Sequence, residues 1–406
     1  MRFAWHANHG HRPVPASPTA RVIEVFLAFL ALGLTSFGGP VAHLGYFRQA
    51  FVVRRKWLTE AAYADLVALC QFLPGPASSQ VGIAIGQMRA GYAGALAAWL
   101  AFTMPSVILL LAFAYGLSAF PWAADAGVLH GLKVAALAVV AQAVWSMGRS
   151  LAPDAQRQTI ALLAAIVTLL VPTSLTQVAV LAGAIAWGAL GGKAADGAPE
   201  PETGTGRRTG AVLLVLFFAL LAGLPLLAGL TGNAALDILD RFYRTGSLVF
   251  GGGHVVLPLL QGELVDPGLI DSSLFLAGYG AAQAVPGPLF SFAAYAGALL
   301  DNPPNGLAGA ALALAGIYLP SFLLVLGALP FWHRLRTLPR MRAALETANA
   351  AVVGLLLAAL YDPVFTSAVT GPLDFALALA AFGALTLGRV PPWLLVVGAA
   401  ATYWLL

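Results

Sequence analysis

Charge is what this sequence has least of. Asp, Glu, Lys and Arg make up 9% of its 406 residues, whereas 60% are hydrophobic. A soluble domain carries about a quarter charged residues, so this chain lacks the means to cover a water-facing surface. Cysteine is nearly absent too. With Cys70 as the single cysteine, an internal disulfide and a Cys-based metal site are both excluded; its apolar neighbours read as packing. The sequence has no G-x-x-x-x-G-K-[ST] loop and no H-E-x-x-H segment, so it offers no ATP site and no zinc-hydrolase helix. Asp65, Glu263 and Asp266 are too scattered to suggest a membrane-embedded enzyme. No cofactor, resident metal or nucleic-acid partner is expected, and homo-oligomerisation is left open.

What is present instead is length without polarity. A helix crosses a hydrocarbon core with about 20 apolar residues, and 91–116, 211–230, 306–329 and 375–387 with its flanks supply such stretches. The fold class expected is all-α: a polytopic bundle of helices in a lipid bilayer. Residues 1–20 are polar, contain proline and have no apolar run, so they read as a solvated tail and not as a signal peptide. His6, His9 and His11 belong to that tail.

The chain also repeats itself. Gly33–Gly39 (GLTSFGG) matches Gly246–Gly252 (GSLVFGG), and Gln71–Pro76 (QFLPGP) matches Gln283–Pro288 (QAVPGP). Gly94-Ala95 then matches Gly309-Ala310, and Pro105-Ser106 matches Pro320-Ser321; the four separations are 213, 212, 215 and 215 residues. Internal symmetry of this kind marks transporter folds. The organisation expected is a tail (1–20), a first repeat (21–192), a Gly/Ala/Pro-rich linker (193–210), a connecting transmembrane helix (211–235) and a second repeat (236–406).

Cytoplasmic loops are enriched in Lys and Arg. If 21–47 and 60–88 each enter the bilayer, break and return on the same side, then the tail, Arg48, Arg54, Arg55, Lys56 and Arg89 all fall inside. Full spans thereafter put 18 of the 21 basic residues inside, Arg241 and Arg244 outside, and Lys133 within a span. This topology inverts the halves, with the N-terminus cytoplasmic and the C-terminus periplasmic. Broken full-length helices are the alternative to re-entrant hairpins.

The breaks carry the chemistry. In hydrocarbon, an interrupted helix survives only where protein or water satisfies its backbone. Phe37-Gly38-Gly39-Pro40, Pro74-Gly75-Pro76, Phe250-Gly251-Gly252 with Gly253-His254, and Pro286-Gly287-Pro288 therefore point to a shared cavity. A helix start presents free N–H groups and about half a positive charge, which suits an anion. Ser78, Ser79 and Ser291 follow the Pro-Gly-Pro breaks and add hydroxyl donors. A plain kink is the alternative reading of any single Gly-Pro pair. Lys133, with Asn349 at the equivalent place, is either an intramembrane cation for substrate or a snorkelling side chain. His43 and His254 follow the glycine breaks; each is a donor to an anion or a pH-sensing group, although packing is the plainer reading of His43. Arg48, Arg54, Arg55 and Lys56 read as lipid and orientation anchors, with guidance of substrate as the alternative.

The two Phe-Gly-Gly motifs, the two Pro-Gly-Pro motifs and their order resemble those of the chromate ion transporter family in its long, two-domain form. The resemblance covers nearly the whole chain from about residue 21, apart from the central linker. It implies a bacterial inner-membrane protein that exports chromate, conferring chromate resistance, with sulfate as competitor or alternative substrate. The halves differ at Pro40 against Gly253 and at Lys133 against Asn349, which implies an asymmetric site.

Overall fold

The computed structural model describes residues 17–37, 39–119, 126–191, 206–250, 253–332, 338–388 and 390–405. The tail through residue 16, Gly38, most of the linker, Gly251 and Gly252 lie outside the described residues. Among the described residues there is no strand, and six helices are long and apolar enough to cross a membrane.

Two hairpins open the first half. Helix α1 (Pro18–Thr35) ends at the first glycine break, and α2 (Gly39–Phe47) runs back beside it into a π-helical turn, Arg48–Arg54. Phe29 of α1 meets Phe47 at 5.5 Å and Phe51 at 4.8 Å between ring centroids, so the two arms lie side by side. Helix α3 (Glu60–Phe72), capped by Thr59, runs in to the Pro-Gly-Pro break, and α4 (Ala77–Ala119) starts beyond it. At Ala90 and Gly91 α4 leaves helical geometry. The chain doubles back there, which lays Gly86 against Gly94.

The outer ends of these hairpins gather on one side. The Arg89 guanidinium donates to Glu24 Oε2 at 2.7 Å and lies 5.1 Å from the Trp57 ring, with Arg55 at 5.6 Å from that ring. The hairpins are therefore re-entrant. Although α1 is long enough to span by length, it stops at the central break.

The second half repeats the plan after the connecting helix α8 (Arg207–Thr231). Helix α9 (Ala234–Leu248) reaches the second glycine break, followed by a 3-10 turn, α10 (Val256–Leu260) and a π-helical turn, Gln261–Val265. Helix α11 (Ser272–Ala282), capped by Asp271, leads to the second Pro-Gly-Pro break. Helices α12 (Phe292–Ala298) and α13 (Gly306–Ala328) then correspond to the two arms of α4. Matching glycines make matching contacts: a Cβ on Gly33 would stand 2.7 Å from the Ala101 carbonyl oxygen, and one on Gly246 2.3 Å from that of Ile317.

The long arm of α4 and α13 cross antiparallel at the centre. Trp99 packs on Phe322 (5.7 Å), and the Tyr115 hydroxyl lies 3.4 Å from the place of a Cβ on Gly306. Since these two helices are equivalent in the repeats, their opposite directions invert the halves. The last three helices of each half exchange partners. Helix α5 (Ala126–Leu151) packs on α15 (Pro372–Thr386) and α16 (Pro392–Leu405) of the second half. Reciprocally, α14 (Pro339–Ala359) packs on α6 (Ala155–Leu170) and α7 (Ser174–Gly191) of the first.

The tight glycine crossings give a stability test. Gly246→Val forces a side chain into the Ile317 backbone and should cost about 2 kcal/mol of overpacking, read as a lowered unfolding temperature in detergent. Gly183, with nothing within 4 Å of its Cβ position, should accept Ala with a change within about 0.5 kcal/mol. Equal effects at both sites would contradict the packing described.

Candidate functional site

Four helix breaks converge at the centre, and two backbone hydrogen bonds join them across the halves. The Gly75 N–H donates to the Val249 carbonyl at 2.6 Å, and the Gly287 N–H donates to the Ser36 carbonyl at 2.9 Å. Ser36 and Val249 occupy equivalent positions in the repeats, as do Gly75 and Gly287. Each Pro-Gly-Pro break is thus tied to the glycine break of the opposite half. These two amides are therefore committed to the protein itself.

Both Pro-Gly-Pro glycines need to be glycine. Gly75 has φ +118° and Gly287 φ +104°, angles that L side chains rarely adopt. A Cβ on Gly75 would lie 2.6 Å from Gln80 Nε2 and 2.7 Å from Ser321 Oγ, while one on Gly287 would lie 3.0 Å from Ser106 Oγ. Ser106 and Ser321 are themselves a matched pair, so the Pro-Ser motifs of α4 and α13 each face the break of the other half.

The symmetry is broken by a cavity of about 300 Å³ on the Gly287 side. Gly39 and Pro40 at the start of α2 line it, together with Gln142 of α5, His254, Gln283 and Gly287; the 390–392 segment closes one wall. Among the described residues that line it there is no acidic side chain. The His254 Nδ1 sits 2.8 Å from the Tyr279 hydroxyl, which leaves Nε2 as the ring atom available to an occupant. The Gln283 side-chain N–H group is buried beside the Tyr279 hydroxyl, with no well-formed hydrogen bond among the described residues. Neutral donors and one helix start thus surround a space to which the described residues bring no carboxylate.

Of the residues expected from sequence, Gly39, Pro40, His254 and Gly287 line this cavity. Phe37 stands against Trp393 at 6.1 Å. Pro74, Gly75, Pro76, Pro286 and Pro288 form the breaks and are not lining residues. Phe250 is buried in the core. Ser78 pairs with His43 Nδ1 at 3.3 Å, and Ser291 donates to the Pro288 carbonyl at 2.7 Å. Ser79 is buried on the Gly75 side. Lys133 is half-buried on α5 and is not a lining residue; Gln142, further along the same helix, is. Arg48 pairs with Glu60 at 2.5 Å at the hairpin ends, away from the cavity.

Gln142 and Gln283 were not singled out from sequence as site residues. The signal was an amide in an apolar run for Gln142, and the Gln that opens both Gln-x-x-Pro-Gly-Pro motifs for Gln283. Its mate Gln71 is exposed, so the motif alone does not distinguish the two.

Inverted halves with broken helices meeting at a central cavity are the build of a secondary membrane carrier. The chromate transporter family matches residues 23–189 and 236–404, and the chain belongs to that family. It is 27% identical over 350 residues to the chromate transport protein of Cupriavidus metallidurans, covering 84% of this chain and 82% of that protein. It is likewise 27% identical over 355 residues to the chromate transport protein of Pseudomonas aeruginosa, covering 84% and 80%. An uncharacterized transporter of Methanocaldococcus jannaschii is 25% identical over 342 residues, covering 83% of each chain. No solved structure matches the chain.

The two break glycines differ in the room behind them, and this sets an order. Gly75→Ala and Gly287→Ala should each cost about 1–3 kcal/mol from the strained backbone, with Gly75→Ala the worse of the two. Unfolding temperatures of the two purified variants measure this; a larger loss for Gly287→Ala would contradict the geometry.

Proposed function

We propose that the chain exports chromate, binding the tetrahedral dianion in the cavity between the breaks. The observation that carries this reading is the lining: side-chain amides of Gln142 and Gln283, the His254 ring and the start of α2, with no carboxylate among the described residues. The names of the relatives from Cupriavidus and Pseudomonas support chromate as the substrate. Sulfate has the same charge and shape, and the same donors fit it; it is the second reading.

The first repeat (21–192) and the second (236–406) would rock against each other about the cavity, as inverted halves do. A charge crossing the membrane potential is worth about 2.3 kcal/mol per 100 mV, hence about 4.6 for a dianion. With the cell interior negative, that work favours export with no coupled ion, and an ion gradient can add to it. A bacterial inner-membrane location with a cytoplasmic N-terminus and a periplasmic C-terminus accords with the basic residues. Arg55 and Arg89 gather at the Trp57 end of the hairpins, the end assigned to the cytoplasm. The chemistry is binding and release of an unchanged anion, with no enzymatic step.

Everted membrane vesicles given labelled chromate or sulfate and an interior-positive potential should accumulate the anion. Gln283→Leu should weaken that accumulation about tenfold or more at subsaturating anion, the worth of a hydrogen bond to a charged group. Accumulation of neither anion, or of both equally in vesicles lacking the protein, would contradict the reading.

A further inference from the structure

The cavity occupies one of two pseudo-equivalent corners. The other corner, at the Gly75 break, is closed but unusually polar. Ser79, Gln80, Thr103, Tyr318 and Ser321 are all at most 3% exposed. The Ser321 hydroxyl and the Trp99 indole N–H have no hydrogen-bond partner among the described residues, and the Ser79, Thr103 and Tyr318 hydroxyls have none but one another. The Tyr318 hydroxyl lies beside those of Ser79 and Thr103, and the Trp99 and Tyr318 ring centroids are 5.4 Å apart. Ser321 Oγ and Gln80 Nε2 crowd the same point, the missing Cβ of Gly75. Thr103 and Tyr318 are equivalent in the two repeats, so their contact marks the pseudo-twofold axis. The cluster spans that axis.

Buried polar groups in native proteins are normally paired, and leaving one unpaired forfeits its hydration with nothing in return. Here the unpaired atoms are mostly donors or able to donate. The acceptor lacking a donor is Gln80 Oε1, its amide nitrogen being turned onto the Pro74 carbonyl at 2.6 Å. The first arm of α4 starts at this point, and its leading amides add positive potential. Such a set suits an anion better than a cation.

We infer that this corner is a second, occluded site for the same tetrahedral oxyanion, populated when the halves have exchanged conformations and the carrier faces the other side. The inference rests on the cavity being the anion site in the conformation described. In the exchanged state the Gly75 corner opens as the Gly287 corner closes, and the hydroxyls of Ser79, Thr103, Tyr318 and Ser321 receive the anion. The cross-repeat hydrogen bonds pair the two breaks, so movement of one half displaces both corners together.

Tyr318→Phe and Ser79→Ala each remove one hydroxyl and keep the packing. The full chain in lipid nanodiscs gives equilibrium binding of labelled sulfate, and the same protein in liposomes gives sulfate exchange. Binding within about twofold of the parent, with exchange lowered about tenfold or more, is expected from a lost hydrogen bond in the second site alone. Both quantities unchanged would overturn the second site, and so would both falling in proportion, which would assign these hydroxyls to the cavity or to folding. Gln283→Leu, measured alongside, should weaken binding itself. If it does so while the hydroxyl variants change nothing, the second site fails and the cavity stands. If Gln283→Leu also changes nothing, the cavity reading fails and this proposal with it.

Discussion

A backbone amide inside a lipid bilayer has no water to turn to, and that constraint organises this protein. Helices that stop at the centre leave N–H and C=O groups exposed, each costing several kcal/mol if unmet. Here the debt is met reciprocally: Gly75 donates to Val249, and Gly287 donates to Ser36. Each repeat thus completes a hydrogen bond at the other's breaks. The exchange of α5 and α14 between the halves follows the same logic.

From this pairing comes the room for a ligand. Extended backbone at the breaks, opened by glycine at angles other residues avoid, keeps the four segments close without filling the space between them. Because the two repeats are not identical, the space is not shared evenly. Pro40 and His254 help to line a cavity at one corner, while Gln80, Tyr318 and Ser321 fill the other. An inverted fold in an asymmetric conformation is what alternating access requires of a carrier.

Much of this architecture is legible in the sequence. The recurrence of Phe-Gly-Gly and Pro-Gly-Pro at nearly constant separation reveals the duplication, and the basic residues at 54–56 and 89 make hairpins that return to their own side one of two arrangements. Re-entrant and full-span arrangements stay balanced in the sequence because α1 is as long as a spanning helix; contacts such as Phe29 with Phe51 decide it. The site is less legible. Sequence points to the helix starts at the breaks as donors, but not to the bonds by which the Gly75 and Gly287 amides join the repeats. Lys133 attracts attention as a charge, but the helix presents Gln142 to the cavity. A neutral glutamine in an apolar run is a weak signal, and its direction depends on packing between distant segments.

The central claim is that interrupted helices of opposed halves enclose an anion. Crystals of the protein grown with chromate would locate the ion directly through the anomalous scattering of chromium. The account predicts a chromium peak between Gln142, His254 and Gln283, within hydrogen-bond reach of the start of α2. A peak confined to the basic surface at Arg48–Lys56, with the central cavity holding none, would contradict it.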